Sequence, residues 1–209
     1  MTVAKIAIIV EGLFEKSDSI GYDAVFQYRL LQIAHGQGRV FLFAQRFDLG
    51  RYPGVDIQPM EAFHEFIAEN PSALIVYHYC DGWPEIDNVI RDSSRAFIVR
   101  WHNNTPPWFY ASNHRRSVER TIRGFKTIIG LIRSPNVRFW VNSNFTLNQL
   151  IALGATSEQA SVVFPGSRFL DAHSIPKRSL DDLSYGKTTA PLKLLFVSRV
   201  VAHKSLIRN

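Results

Sequence analysis

The segment with the most chemical character is RWHNNTPPWFYASNH, residues 100–114, which follows a short apolar run. An imidazole at the carboxyl end of a buried strand faces a crevice and exchanges protons near neutral pH, so His102 is the first candidate for a catalytic group. Asn103 and Thr105 beside it offer hydrogen bonds. Trp108, with Phe109 and Tyr110, offers flat apolar surface to a sugar or a base, stiffened by Pro106 and Pro107. The bland alternative is a histidine satisfied within the core. A second stretch, FWVNSNFTLNQLIALGA at 139–155, places Asn142 and Ser143 at the end of another strand. Asn144 or Thr146 there can cap the helix that follows.

Two further segments read as approaches to anionic groups. In GLFEKSDSIGYDAVFQYRL, Gly12 leaves a strand and Gly21 opens a helix, where glycine lets backbone amides approach a phosphate or sugar. Neither GxGxxG nor GxxxxGK[ST] is present, so a dinucleotide fingerprint and a P-loop are both unsupported. Near the end, residues 192–197 are apolar at both parities, and Arg199, His203 and Lys204 follow. A phosphate site at a strand end and a solvated basic tail are both open readings of those three.

Other chemistries find no support. No Ser/His/Asp or Cys/His set stands beside His102, which excludes a hydrolase triad. Glu61 with Glu65 and Asp181 with Asp182 are near in sequence but lie away from strand ends, and no spacing reads as a metal cluster. The single cysteine, Cys80, has no disulfide partner within the chain and reads as a core or strand-end residue in a reducing environment. No helix-turn-helix or RNP pattern appears, so nucleic acid is not an expected partner. The formal net charge of +6 still points to an anionic one.

The elements that must position these residues follow from periodicity. Residues 5–10, 40–44, 73–79, 96–100, 138–142, 161–164 and 192–197 read as strands. Residues 23–35, 60–69, 85–91 and 146–153 read as helices. A longer helix at 115–133 carries Val118, Ile122, Phe125, Ile129 and Ile132 on one stripe, with Arg116, Arg120 and Arg123 opposite. This alternation predicts an α/β fold, a Rossmann-like parallel sheet with helices on both faces. Residues 1–168 form the expected domain, 169–190 a polar linker, and 191–209 the start of a second domain. The N-terminus MTVAKIAIIVEG reads as a first strand without a leader cleavage pattern, and no apolar run reaches the roughly 20 residues of a membrane span, so a cytoplasmic location is expected.

The order of these pieces resembles a retaining glycosyltransferase of family 4, over most of the chain: the Gly21 loop, HNNTPPWFY, VNSNFT, VVFPG, a linker, then LLFVSRVVAHKS. The resemblance implies a hexosyltransferase of GT-B fold. It would use a nucleoside diphosphate sugar as donor and a saccharide or lipid-linked acceptor, with no metal and no other cofactor. It also implies that residues 1–168 are the acceptor-side half and that Arg199 and Lys204 hold the donor diphosphate as it leaves. His102 would then line the cleft beside the transferred sugar, with Gly21 near donor phosphate or acceptor. The departures are Ser198 and Ser205 in place of glycines, the missing glycine beside Gly21, and PGSRF without the acid that follows PG in the family. The family's E-x7-E segment would lie past Asn209, so little transfer by this chain alone is expected. The alternative is a non-catalytic α/β module that docks on a membrane or a partner protein through Arg116, Arg120 and Arg123; peripheral attachment of the protein at the inner face of the plasma membrane is a further expectation.

Overall fold

A computed structural model describes residues 5–14, 18–110 and 115–166, all within one compact unit, Met1–Arg168. The expected strand 192–197, the linker 169–190, the start of a second domain at 191–209, and Arg199, His203 and Lys204 lie outside the described residues.

The first strand, β1, spans Ile6–Leu13 and lies inside the sheet. Its first five residues are buried whichever face they point to, as a strand covered on both sides requires. β1 pairs in parallel with β2 (Val40–Phe47) on one side and with β4 (Leu74–Tyr79) on the other. β3 (Ile57–Pro59) extends the β2 side. β5 (Phe97–Trp101), β6 (Val137–Val141) and β7 (Ala160–Val162) extend the β4 side. The seven strands run in the order β3-β2-β1-β4-β5-β6-β7, and every pairing is parallel.

That order fixes the layers. After β1 the chain crosses in one direction to β2, while after β4 it steps in the opposite direction to β7. Right-handed crossovers then put the helices of the two runs on opposite faces. α1 (Ser19–His35) covers Ile6, Ile8, Val10, Leu42 and Val76 through Ala24, Val25 and Tyr28. The other face packs against α2 (Met60–Glu69), α3 (Pro84–Arg91), α4 (Arg115–Ile132) and α5 (Asn144–Ala152). Here Ala7, Ile9, Phe43, Ile75, Val99, Phe139 and Val141 meet Phe63, Ile86, Ile128 and Leu150.

The helix starts follow side-chain capping. Asp18 accepts from the amides of Ile20 and Gly21, so α1 opens four residues before the apolar stripe that predicts it. Ser143, rather than Asn144 or Thr146, caps α5 by accepting from the Thr146 amide.

α4 is rotated relative to its apolar stripe. The residues it buries are Thr121, Gly124, Ile128, Leu131 and Ile132, while Ile122 remains 41% exposed. The cause is close approach. A Cβ at Gly124 would stand 2.7 Å from Asn104 Nδ2 and 3.1 Å from the Asp81 carbonyl oxygen, so small side chains must face the loops after β4 and β5. Asn104 ties those loops: it accepts from Trp101 Nε1 at 2.7 Å and donates to the Cys80 carbonyl and to Asp81 Oδ1. Gly124→Ala is expected to lower stability by about 1–3 kcal/mol in urea unfolding. Gly130→Ala on the same helix meets no atom within 4 Å and should be neutral or slightly stabilising.

Candidate functional site

In an open parallel sheet, ligands sit at the carboxyl ends of the strands where the strand order reverses. Here that point lies between β1 and β4, and a cleft of about 230 Å³ occupies it. Its walls come from Val10, Glu11 and Gly12 of β1, Phe14 after it, Asp18 and Ile20 at the start of α1, and Cys80 to Gly82 after β4. Three carboxylates and two guanidinium groups ring the opening. Arg46 Nη2 meets Glu11 Oε1 at 2.9 Å, and Arg120 Nε meets Asp81 Oδ2 at 2.9 Å while its Nη2 lies 3.6 Å from Glu11 Oε2. The Arg46 guanidinium also lies over the Phe14 ring, 5.2 Å from its centre, and Phe14 keeps 41% of its surface exposed. Arg120 is thus engaged with the cleft rather than standing free on a basic face; Arg116 and Arg123 are exposed. Burial, and next the charge of Asp81, push the Cys80 thiol up to about 12, so it is neither a nucleophile nor a metal-ready thiolate near neutral pH.

Behind this cleft, on the α1 face of the sheet, lies a buried polar cluster. Asp23 projects from the second turn of α1 and Arg100 from β5, and both side chains have no solvent exposure. Arg100 Nε donates to Asp23 Oδ2 at 2.8 Å, and Arg100 Nη1 donates to the Val163 carbonyl at 2.6 Å. Asp23 Oδ2 also accepts from Gln27 Nε2 at 3.2 Å, and Oδ1 accepts from the Gly166 amide at 2.7 Å. His78 of β4 stands beside Arg100 in the parallel register. Its Nδ1 lies 3.0 Å from His102 Nε2, with the two rings stacked 5.2 Å apart. His102 Nε2 is 3.7 Å and His78 Nδ1 4.0 Å from Asp23 Oδ2.

Both imidazoles are held neutral. Burial, followed by repulsion from His102 when that ring is protonated and from the Arg100 guanidinium, pushes His78 well below the ordinary histidine value. His102 is pushed down to about 4: burial dominates, Asp23 opposes it, and Arg100 reinforces it.

The residues singled out from sequence separate into groups. His102 lies in the buried cluster, with its Nε2 directed at His78 and Asp23. Asn103 follows with φ of 68°, a left-handed conformation that asparagine tolerates, and its Oδ1 is buried without a partner. Asn142 Oδ1 is also buried without a partner, and the register of β5 and β6 places residue 142 beside residue 102. Ser143 is taken up in capping α5. Gly21 is buried in the first turn of α1, and its amide donates to Asp18 Oδ2 at 3.2 Å. Thr105 is half-buried, whereas Trp108 is 71% exposed beside Phe109 in a short 3-10 turn. Asp23, His78 and Arg100 escape sequence reading, although a charge inside FIVRW and an imidazole inside LIVYHY interrupt otherwise apolar strands.

No family model, curated protein or solved structure matches the chain. Among the described residues, no helix is long and apolar enough to cross a membrane.

The neutral imidazoles make stability depend on pH. An unfolded histidine binds its proton near pH 6.5, but folded His102 does so only at about 4. The unfolded chain therefore holds more protons between these values, and the contribution of the neutral ring is intact above pH 6.5 and lost as pH falls toward 4. Asp87, raised to about 7 by burial, has the opposite sign: its contribution is present below the ordinary carboxylate range and lost as pH rises through 7. In urea unfolding from pH 4 to 7, wild type should gain about 3 kcal/mol on a His102→Asn variant. An Asp87→Asn variant should gain on wild type over the same rise.

Proposed function

We propose that the protein acts in retaining glycosyl transfer from a nucleoside diphosphate sugar to a saccharide or lipid-linked acceptor, and that the cleft between β1 and β4 is the acceptor side of the site. The observation that carries this reading is the make-up of the cleft: a half-exposed aromatic ring, Phe14, inside a ring of alternating charges. Carboxylates and guanidinium groups accept from and donate to sugar hydroxyls, and an aromatic face packs against the C–H face of a pyranose. With Glu11, Asp18 and Asp81 set against Arg46 and Arg120, the cleft suits a neutral sugar better than an acidic one. The family resemblance further implies that Arg199 and Lys204 bind the donor diphosphate and that His102 serves the transferred sugar; here the His102 ring lies in the buried cluster behind the cleft. Arg116 and Arg123, on the exposed side of α4, and exposed Trp108 supply a surface for peripheral contact with an anionic bilayer carrying a lipid-linked acceptor, at the cytoplasmic face.

Saturation-transfer NMR with a panel of neutral mono- and disaccharides tests the acceptor assignment. Saturable binding in the millimolar range or tighter is expected. Phe14→Ala should weaken it about tenfold, the loss of one sugar-stacking contact. Absence of binding by every neutral saccharide, or binding indifferent to Phe14→Ala, would overturn the assignment.

A further inference from the structure

We propose that Asp23 Oδ2, His78 Nδ1 and His102 Nε2 form a binding site for one divalent cation of the zinc class. The proposal is independent of the sugar-transfer reading and departs from the expectation of a metal-free protein.

The three atoms come from three elements that the fold fixes independently: α1, β4 and the residue after β5. Their separations of 3.0, 3.7 and 4.0 Å are those of three atoms placed about 2.1 Å from a common centre, the length of zinc bonds to imidazole nitrogen and carboxylate oxygen. Among the described residues this is the one set of three potential ligands from histidine, cysteine, aspartate or glutamate drawn so close together. A carboxylate with two imidazoles is a donor set for zinc and for the neighbouring first-row divalent ions, and it leaves a position open for a further ligand. The set is also rigid, because Gln27, Arg100 and the Gly166 amide hold the Asp23 carboxylate from three sides.

A second observation points to a missing partner. Asn103 Oδ1 and Asn142 Oδ1 are buried without hydrogen-bond partners, just past the carboxyl ends of β5 and β6 and beside His102. A coordinated ion with its own water or anion brings donors and acceptors to this edge, which the protein's side chains leave unsupplied.

Arg100 limits what the site accepts. Its Nε shares Asp23 Oδ2 with the proposed ion, so the guanidinium cancels the carboxylate charge and a dication leaves an excess of two positive charges. Burying that excess is costly, and the fourth ligand is therefore anionic: hydroxide, phosphate or a carboxylate.

The test adds Co²⁺ to the whole chain, with inorganic phosphate absent or present, and records visible absorption; Zn²⁺ is then titrated while the imidazole resonances are followed by ¹H–¹⁵N NMR. Expected are one equivalent of cobalt with the strong bands of four-coordinate geometry, displacement by Zn²⁺, selective shifts of the His78 and His102 rings, and tighter binding when phosphate is present. His78→Gln and His102→Gln, checked for folding by circular dichroism, should each weaken binding by about a hundredfold or more, since even residues behind the ligands contribute tenfold or more. The wild-type measurement stands on its own if a variant does not fold. Cobalt that keeps the weak spectrum of its aqua ion while both rings stay unmoved would overturn the site. So would binding that survives both substitutions.

Discussion

The Asp23–Arg100 ion pair is the constraint around which the α1 face of this molecule is organised. Two full charges without solvent contact depend on hydrogen bonds to replace water, and here Asp23 accepts three while Arg100 reaches both Asp23 and the chain after β7 through Nε and Nη1, with Nη2 buried and unpartnered. Removing either partner leaves an uncompensated buried charge, a loss of about 3–5 kcal/mol in comparable settings. The guanidinium of the pair also acts on the neighbouring imidazoles. Burial is the first reason that His78 and His102 are neutral, and Arg100 adds to it, because a proton on either ring would join a positive charge already present.

Sheet topology supplies the rest of the functional surface. Strands leave β1 in one direction and β4 in the other, so no helix crosses the gap between them at the carboxyl end, and the cleft opens there. The ion pairs of Glu11, Arg46, Asp81 and Arg120 span this opening from β1, β2, the loop after β4 and α4. Cleft and buried cluster are thus neighbouring parts of one edge that meet at His78, the first open and charged, the second shielded from solvent.

Much of the scaffold is legible in the sequence because hydrophobic periodicity and burial coincide. Met60–Glu69 is read to the residue, and the other four helices and six of the seven described strands lie where alternating apolar runs place them. β3 is not legible: three residues ending in Pro59 are too few to show a period. The orientation of α4 misleads for a different reason. Its most regular apolar stripe, Val118 to Ile132, is only partly buried: Ile132 is in the core and Phe125 packs against it, but Ile122 is exposed, because contact with the Asp81 and Asn104 loops favours Gly124 and Thr121 for their size rather than their hydrophobicity. The candidate site is half legible. Position after a strand marks His102, but its partners sit 24 and 79 residues away in sequence, and nothing local in Asp23 or His78 announces a pairing that the crossovers create. Side-chain type marks Arg100 weakly, as a charge where a covered strand should be apolar.

The hydrogen bond from the Gly166 amide to Asp23 spans 143 residues. At a synthesis rate of 5–20 residues per second, roughly 7–30 s pass between the emergence of the aspartate and that of its last donor. For about the first half of that interval the carboxylate lacks both Arg100, 77 residues on, and Gly166; for the rest it lacks Gly166. In a chain that folds as it is made, β1 and β2 are thus available to pair before the hydrogen bonds that fix the Asp23 carboxylate can form. The full set of bonds to Asp23 is complete only when the last described residue of this unit has been made.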